Sequence, residues 1–537
     1  MEAAAKVGRL TRSSLQAASC PAVNGGVVVF FAAVVAGALV SASWMSTGAR
    51  VTSIPMIATR NMAQHAAASP EPEPTLPRLG NLAPPPRQPP PPAPAPAPDA
   101  AAAASPSSSC PAYFRWIHED LRPWRDAGIT REAVDGAARR YGAKFRVTVV
   151  AGRLHVARYG RCFQTRDVFT QWGVLQLLRR YQGRVPDLDL MFDCQDLPVV
   201  NAGDRRGRTS SSPPPLFGYC GSEPTLDIAF PDWSFWGWPE LNIKPWETLR
   251  GEIADGNAAV NWTGRAPYAY WKGNPTVGAD RRNLLRCNAS GKRDWNARIY
   301  EQVRALPGAD ARTRTPSRHL TVTRGISNRA EHETRLQFFF SFQDWRKEVR
   351  DGFRESDLAK QGWSVSEKYI LACDSVALIV RPRYHDFFSR GLMPLQHYWP
   401  IPGGGRGMCR PIKFAVDWGN AHADKAQEIA GNATRFIQED LTMDRVYDYM
   451  FHLLTEYAKL LKYKPTAPDR AVEVTVESMT RGRRGLERQF MVDTMVEAGS
   501  GTGEPCELPP PFSSEELETL RRRQADAVRQ VETWEKR

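Results

Sequence analysis

The sequence predicts an α/β protein displayed beyond a membrane anchor. Three observations carry this: a helix–strand alternation that recurs in both halves of the folded part, one long uncharged apolar run near the N-terminus, and a proline tract between the two. With 537 residues the chain is long enough for two domains plus extensions.

Residues 1–24 carry Lys6, Arg9 and Arg12 and read as a cytoplasmic tail. Residues 25–45, GGVVVFFAAVVAGALVSASWM, hold no charge and match the roughly 20 apolar residues that span a bilayer. The preceding cations favour a cytoplasmic N-terminus, hence a type II signal anchor. A cleaved signal peptide is the rival, since Val40-Ser41-Ala42 resembles a small-residue cleavage site. Residues 46–109 form a Pro/Ala-rich stem that contains PPPRQPPPPAPAPAP and cannot bury a core. Either way the remainder is expected to be lumenal, in the Golgi or the ER.

Folded sequence begins near Cys110. Ile129 to Tyr141 reads as a helix capped by Thr130. Phe145 to Ala157 reads as two strands turning at Ala151-Gly152. Val168, Trp172, Leu175 and Leu178 have helical spacing over Thr165 to Tyr181. Leu190, Met191 and Phe192 look like the end of a buried strand. The alternation returns with a helix at Ser366 to Ala372, a strand at Val376 to Val380, the segment Ile412 to Val416, and Ala423 to Phe436. Met443 to Leu461 is a long helix with Val446, Met450, Leu453, Tyr457 and Leu460 on one face, where core packing is their expected use. A capping box at Ser513/Glu516 starts a peripheral tail helix.

Charge and cysteines bound the function. The formal net charge of +13 is spread over scattered Arg and Lys, with no basic stripe and no nucleic-acid reading motif. Nucleic acid is therefore not the expected partner; an acidic ligand, an acidic polymer or a membrane surface fits the charge. The nine cysteines form no CxxC pair, which argues against a zinc site. In an oxidising compartment disulfides are expected, with the connectivity open. Asn261, Asn288 and Asn432 head N-glycosylation triplets.

The stretch richest in chemistry is LDLMFDCQDLPVV, Leu188 to Val200. Asp193 and Asp196 follow the strand, and Pro198 stops further ladder pairing. Ligands of open α/β sheets bind at the carboxyl ends of strands, so either aspartate is a candidate general base. Turn capping is the alternative use.

Several blocks in order resemble the Rumi-type protein O-glucosyltransferases, the capsule-associated group called glycosyltransferase family 90, and most of all their plant branch. They include CPAYFRWIHEDLRPW from Cys110, RDVFTQWGVLQLLRRY from Arg166, FPDWSFWGWPELNIKPW from Phe230, AYWKGNPTVGADRRNLLRCN from Ala269, WSVSEKYILACDS from Trp363 and FAVDWGNAHADKAQEI from Phe414. The resemblance implies a GT-B-like fold of two Rossmann-like halves facing a cleft. It divides the chain into an acceptor-side half at 110–265, a donor-side half at 266–510 and a helical tail at 511–537.

The implied reaction moves a sugar, with inversion, from UDP-glucose or UDP-xylose to a hydroxyl of a protein or polysaccharide, with no obligatory metal or other cofactor. Matched by position, Asp196 is the general base and Asp193 a supporting residue. Gly273, Asn274 and Arg281 match positions that hold UDP. Ser364 and Ser366 open the helix that faces the diphosphate, where simple capping is compatible. Trp233, Trp236 and Trp238, with Phe235, either stack on sugar or pack as a core. Asp187-Leu-Asp189 imitates a metal-binding DxD but falls in or beside a buried strand. His397 is read as structural.

The chain departs from the family in two places. Val303 to Gln343 is an insert, Arg-rich and unpatterned, ending FFFSFQ. Valine codons begin GT, Phe and Ser codons are pyrimidine-rich, and CAG encodes Gln, so the insert resembles a translated intron. A genuine loop is the alternative, uncommon at that length. Between Gln361 and Gly362 a CxHRYKxxxEG-like segment is absent. That is expected to remove a central strand of the second half and a cysteine. The departures leave a noncatalytic binding relative, or an inactive product of a mis-spliced gene model, as the alternative function.

Overall fold

Two large sheets and one two-stranded ladder organise the described part of the chain in the computed structural model, which describes residues 109–205, 213–260, 262, 265, 267–273, 275, 279–301, 337–341, 364–380, 382–402, 407–498 and 503–537. These belong to one contact unit, Ala100–Arg537. The expected anchor and stem lie outside the described residues. No described helix is long and apolar enough to cross a membrane.

In chain order the strands are β1 (Phe145–Val150), β2 (Arg153–Arg158), β3 (Leu188–Phe192), β4 (Phe217–Gly218), β5 (Gly221–Ser222), β6 (Ile228–Ala229), β7 (Tyr268–Gly273), β8 (Ala297–Glu301), β9 (Gln337–Ser341), β10 (Ala377–Val380), β11 (Tyr384–His385), β12 (Trp399–Ile401) and β13 (Val472–Val474). The α-helices are α1 (Trp116–Leu121), α2 (Arg131–Tyr141), α3 (Arg166–Arg180), α4 (Trp246–Ala258), α5 (Ala279–Leu284), α6 (Glu367–Leu371), α7 (Cys409–Ala421), α8 (Ala423–Arg435), α9 (Met443–Leu460), α10 (Val476–Thr480), α11 (Gly485–Asp493) and α12 (Ser514–Lys536).

The first sheet has the order β13-β2-β1-β3-β4-β6. Its β1–β2 hairpin turns where expected, with Ala151 and Gly152 both at positive φ, as the tightest hairpin turns require. β1 pairs antiparallel with β3, whereas β4 and β6 extend the sheet in parallel. This half is thus a mixed sheet rather than a plain Rossmann unit. Its far edge is covered by β13, which arrives from near the C-terminus. The apolar face of α3 and the predicted stripe of α9 complete this core. Thr130 caps α2 through the Ala133 N–H.

The second sheet is parallel throughout, in the order β12-β10-β9-β7-β8. Counted from β7, this is the flavodoxin-like order, whose topological switch point lies between β7 and β9. The sequence reading leaves this half short of a central strand. Gln337–Ser341, from the end of the insert, fills the position and pairs with β7 and β10. Three consecutive phenylalanines, Phe338 to Phe340, give the run the intrinsic strand preference the position needs. Residues 302–336 and 342–363 lie outside the described residues. Ile412 to Val416 is helical, within α7, where Ile412, Ala415 and Val416 pack into the second core at helical spacing.

Three disulfides form among the described residues. Cys110–Cys506 joins the two ends of the folded part, Cys287–Cys409 braces the second half, and Cys162–Cys194 clamps the segment before α3 to the loop after β3. Cys220 and Cys373 remain thiols. The tail helix α12 begins in the predicted capping box and bridges the halves. Glu516 pairs with Arg115 at one end, and Trp534 stacks on Trp418 at the other.

Candidate active site

The loop after β3 is fixed at several points. The Asp193 N–H donates to Phe217 O, which holds the loop to β4. Asp227 then accepts from the N–H groups of Val199 and Val200, both at 2.9 Å. Between these anchors the Cys162–Cys194 disulfide clamps the chain. The Cys220 thiol donates to Asp196 O at 3.4 Å. A carboxylate on such a loop is held in place before any ligand arrives, which is what proton transfer at a fixed geometry requires.

Asp196 is the part of this loop that reaches the surface. Its side chain keeps 29% of its exposure, while its partner Arg166 is buried at 4%. Arg166 Nη1 donates to Asp196 Oδ1 at 2.6 Å and to Cys194 O at 3.1 Å. The guanidinium lies 4.3 Å from the Trp233 ring centroid, a cation–π seat. Arg166 opens α3, an end where the helix dipole disfavours a cation. An arginine at the first position of a helix is the one sequence cue to a special role here, and its partner Asp196 is visible only in the structure.

Asp193 differs from Asp196. It is 5% exposed, and among the described residues its Oδ1 has no hydrogen-bond partner. Burial pushes its pKa up to about 7; the nearby Lys144 opposes the shift and Asp227 adds to it. Asp227 is itself pushed up to about 6 by burial, against the two N–H groups it accepts from. Burial holds the Cys220 thiol far above its usual range, so it donates as a thiol.

The aromatic block lies in the core: Trp233, Phe235 and Trp236 are fully buried and Trp238 is 1% exposed. Trp236 Nε1 donates to Tyr447 and Trp238 Nε1 to Gln164. Their packing leaves no open face for a sugar, so the block acts as the bed under Arg166. Asp189 is likewise closed to metal. Its carboxylate takes a two-pronged interaction from Arg146 and a hydrogen bond from Tyr463 at 2.7 Å. His397 accepts the Met393 N–H through Nδ1 in a local turn.

On the second sheet Gly273 is the last residue of β7, at the carboxyl end beside the switch point. A Cβ there would lie 2.7 Å from the Trp271 ring, so only glycine lets backbone and ring share the space. Asn274 lies outside the described residues. Arg281 is on α5, which follows that strand end, and is 3% exposed. Ser364 and Ser366 precede α6 with their hydroxyls 2.6 Å apart. Asn288 is exposed, with its amide paired to the Ile299 backbone; Asn432 lies in α8; Asn261 is outside the described residues.

A buried cation joins the two halves. Lys368 on α6 donates to Asp232 at 3.1 Å, to Ser234 Oγ at 2.9 Å and to Val365 O at 3.1 Å. Burial works most strongly against its charge, but Asp232, Tyr369 and Asp386 together outweigh it and raise the pKa. Asp232 and Ser234 flank Trp233, the ring under Arg166. Asp196 is thereby connected to the Ser364–Ser366 segment through Arg166, Trp233, Ser234 and Lys368.

A parallel sheet in flavodoxin-like order with a glycine at its switch point, beside a mixed sheet whose β3 leads to a fixed carboxylate, is the layout of an α/β enzyme that takes its ligands at strand ends. Residues 105–535 match the family model for glycosyl transferase family 90, and the chain belongs to that family of glycosyltransferases. It is 26% identical to an O-glucosyltransferase rumi homolog of Anopheles gambiae, over 68% of this chain and 83% of the relative. It is 25% identical to O-glucosyltransferase rumi of Drosophila melanogaster, over 68% and 81%. It is also 25% identical to Protein O-glucosyltransferase 1 of Homo sapiens, over 67% and 83%.

Proposed function

We propose that the chain transfers glucose or xylose from a UDP-sugar, with inversion, to a hydroxyl of a protein or glycan acceptor. The two halves face a cleft in this reading, with the donor over the second sheet. The acceptor oxygen attacks the anomeric carbon while Asp196 takes its proton. The bond from that carbon to the diphosphate oxygen breaks on the opposite face, and its electron pair leaves with UDP. Arg281, the backbone around Gly273 and Asn274, and the Ser364–Ser366 segment stabilise the departing charge.

The observation that carries this reading is the fixed, half-exposed carboxylate of Asp196 at the carboxyl end of β3. The closure of Asp189 by Arg146 favours catalysis without a metal at that triplet. The apolar run at 25–45 and the three glycosylation triplets favour a type II anchor in the Golgi or ER, with this domain lumenal.

The test offers UDP-glucose and UDP-xylose to the full chain with protein and glycan acceptors and reads the anomeric configuration of the product. An inverted linkage from either donor supports the proposal, and a retained one sinks it. UDP binding without turnover on any acceptor would favour a noncatalytic relative instead.

A further inference from the structure

A cleft of about 500 Å³ opens beside the loop that carries Asp193 and Asp196. Ligand sites are typically about 300–1,000 Å³. One wall is the end of α2 with Asp135, Arg139 and Gly142; the others are Lys144, Met191 and the Tyr159-Gly160 pair. It lies at the end of β3 that leads into the loop of the candidate base, four residues before Asp196. The Lys144 N–H donates to Phe192 O at 2.7 Å, one residue before Asp193. Lys144 O in turn accepts the N–H groups of Tyr159 and Gly160.

The cleft is unusual in its charges. Asp135, the acid in its wall, is already paired with Arg146 at 2.7 Å. Among the described residues, neither Arg139 nor Lys144 has a side-chain acceptor. Arg139 is exposed and Lys144 half-buried; the buried Asp193 feels the Lys144 charge, but among the described residues neither cation forms an ion pair, so both keep donors for a ligand in one small space. A Cβ on Gly160 would come within 3.0 Å of Lys144 Cδ, so glycine there gives the lysine stem room to lie across the cleft. Tyr159 adds an aromatic ring that stays 47% exposed. An exposed ring beside two cations with donors to spare suits a ligand with a flat apolar face and a carboxylate, which is the chemistry of a hexuronate.

We propose that this cleft is an acceptor subsite for a hexuronate ring of an acidic glycan, with Arg139 and Lys144 on its carboxylate and Tyr159 against its face. The proposal rests on the reading of Asp196 as the base on the acceptor side. It narrows the acceptor from any hydroxyl to one borne by, or next to, an acidic sugar. The net charge of +13 acts in the same direction by steering an anionic polymer toward the protein.

The test is calorimetric titration of the full chain with an oligogalacturonate, a neutral galactan of the same length and an acidic peptide, with UDP titrated in parallel. The oligogalacturonate is expected to bind best and to weaken as salt is added. R139S/K144S should lose it by roughly tenfold or more, the effect of charge-assisted hydrogen bonds, with UDP affinity unchanged as the sign of an intact fold. Y159A should weaken acidic and neutral sugars alike. Equal binding of neutral and acidic sugars, tighter binding of the acidic peptide, or full binding by R139S/K144S would overturn the subsite. If UDP binds and the oligogalacturonate does not, the subsite fails while the donor reading stands. If the oligogalacturonate binds and UDP does not, the donor reading fails instead.

Discussion

Arg166 donates to Asp196 Oδ1 at 2.6 Å from a buried position over the Trp233 ring. The pair joins a charge that cannot move to one that stays reachable from solvent. Replacing Asp196 by Asn keeps the shape but removes the proton acceptor. D196N is therefore expected to lose transfer while UDP binds nearly as before. Rates of UDP release with acceptor present, set beside UDP calorimetry, check this; retained transfer would take Asp196 out of its role.

Arg166 itself makes a second prediction. Lysine keeps the charge but lacks the flat guanidinium that lies over Trp233 while its Nη1 serves both Asp196 Oδ1 and Cys194 O. R166K should cost about 1.5–3 kcal/mol of carboxylate positioning, a fall in kcat of roughly ten- to a hundredfold. The effect should appear in kcat more than in acceptor KM. A KM effect alone would mean that Arg166 binds acceptor rather than orienting the base.

Much of this framework is legible in the sequence. The α2 cap at Thr130, the hairpin at Ala151-Gly152, the buried β3, the apolar stripe of α9 and the capping box at Ser513 all rest on neighbours within a few residues, and local chemistry encodes those. What escapes is set by distant partners. Arg166 meets Asp196 across 30 positions and Lys368 meets Ser234 across 134, and no periodicity announces either pair. β13 reaches β2 from the far end of the chain, so the mixed first sheet could not be read from the order of local signals. The central place of β9 escaped because the surrounding insert has no pattern of its own, and only the empty slot between β7 and β10 gives its short aromatic run a role.

Lys368 is 1% exposed and holds Asp232, Ser234 and Val365 O together. K368M leaves the Asp232 carboxylate buried without its cation, at a cost of about 3–5 kcal/mol. Adding D232N should recover most of that loss. Chemical denaturation of the two variants checks it. If K368M is as stable as the parent, the buried pair does not join the halves in the way described.

Asp193 makes stability depend on pH. Burial raises its folded pKa to about 7, above the ordinary carboxylate value of 3.8. Between these values the folded state holds a proton that the unfolded state has lost. Raising the pH through that window therefore lowers stability, by at most about 1.4 kcal/mol per pH unit from this one group. The contribution is fully adverse above about pH 7 and absent below the unfolded value. Asp227 and Asp386, each pushed up to about 6 by burial, add the same sign over a narrower range. D193N removes the largest of the three contributions, so its stability should fall less steeply between pH 4 and pH 7 and exceed that of the parent above pH 7. Urea midpoints across that range decide the matter. Parallel curves for parent and variant would show that Asp193 ionises at its ordinary value and that the loop after β3 admits more water than its packing indicates.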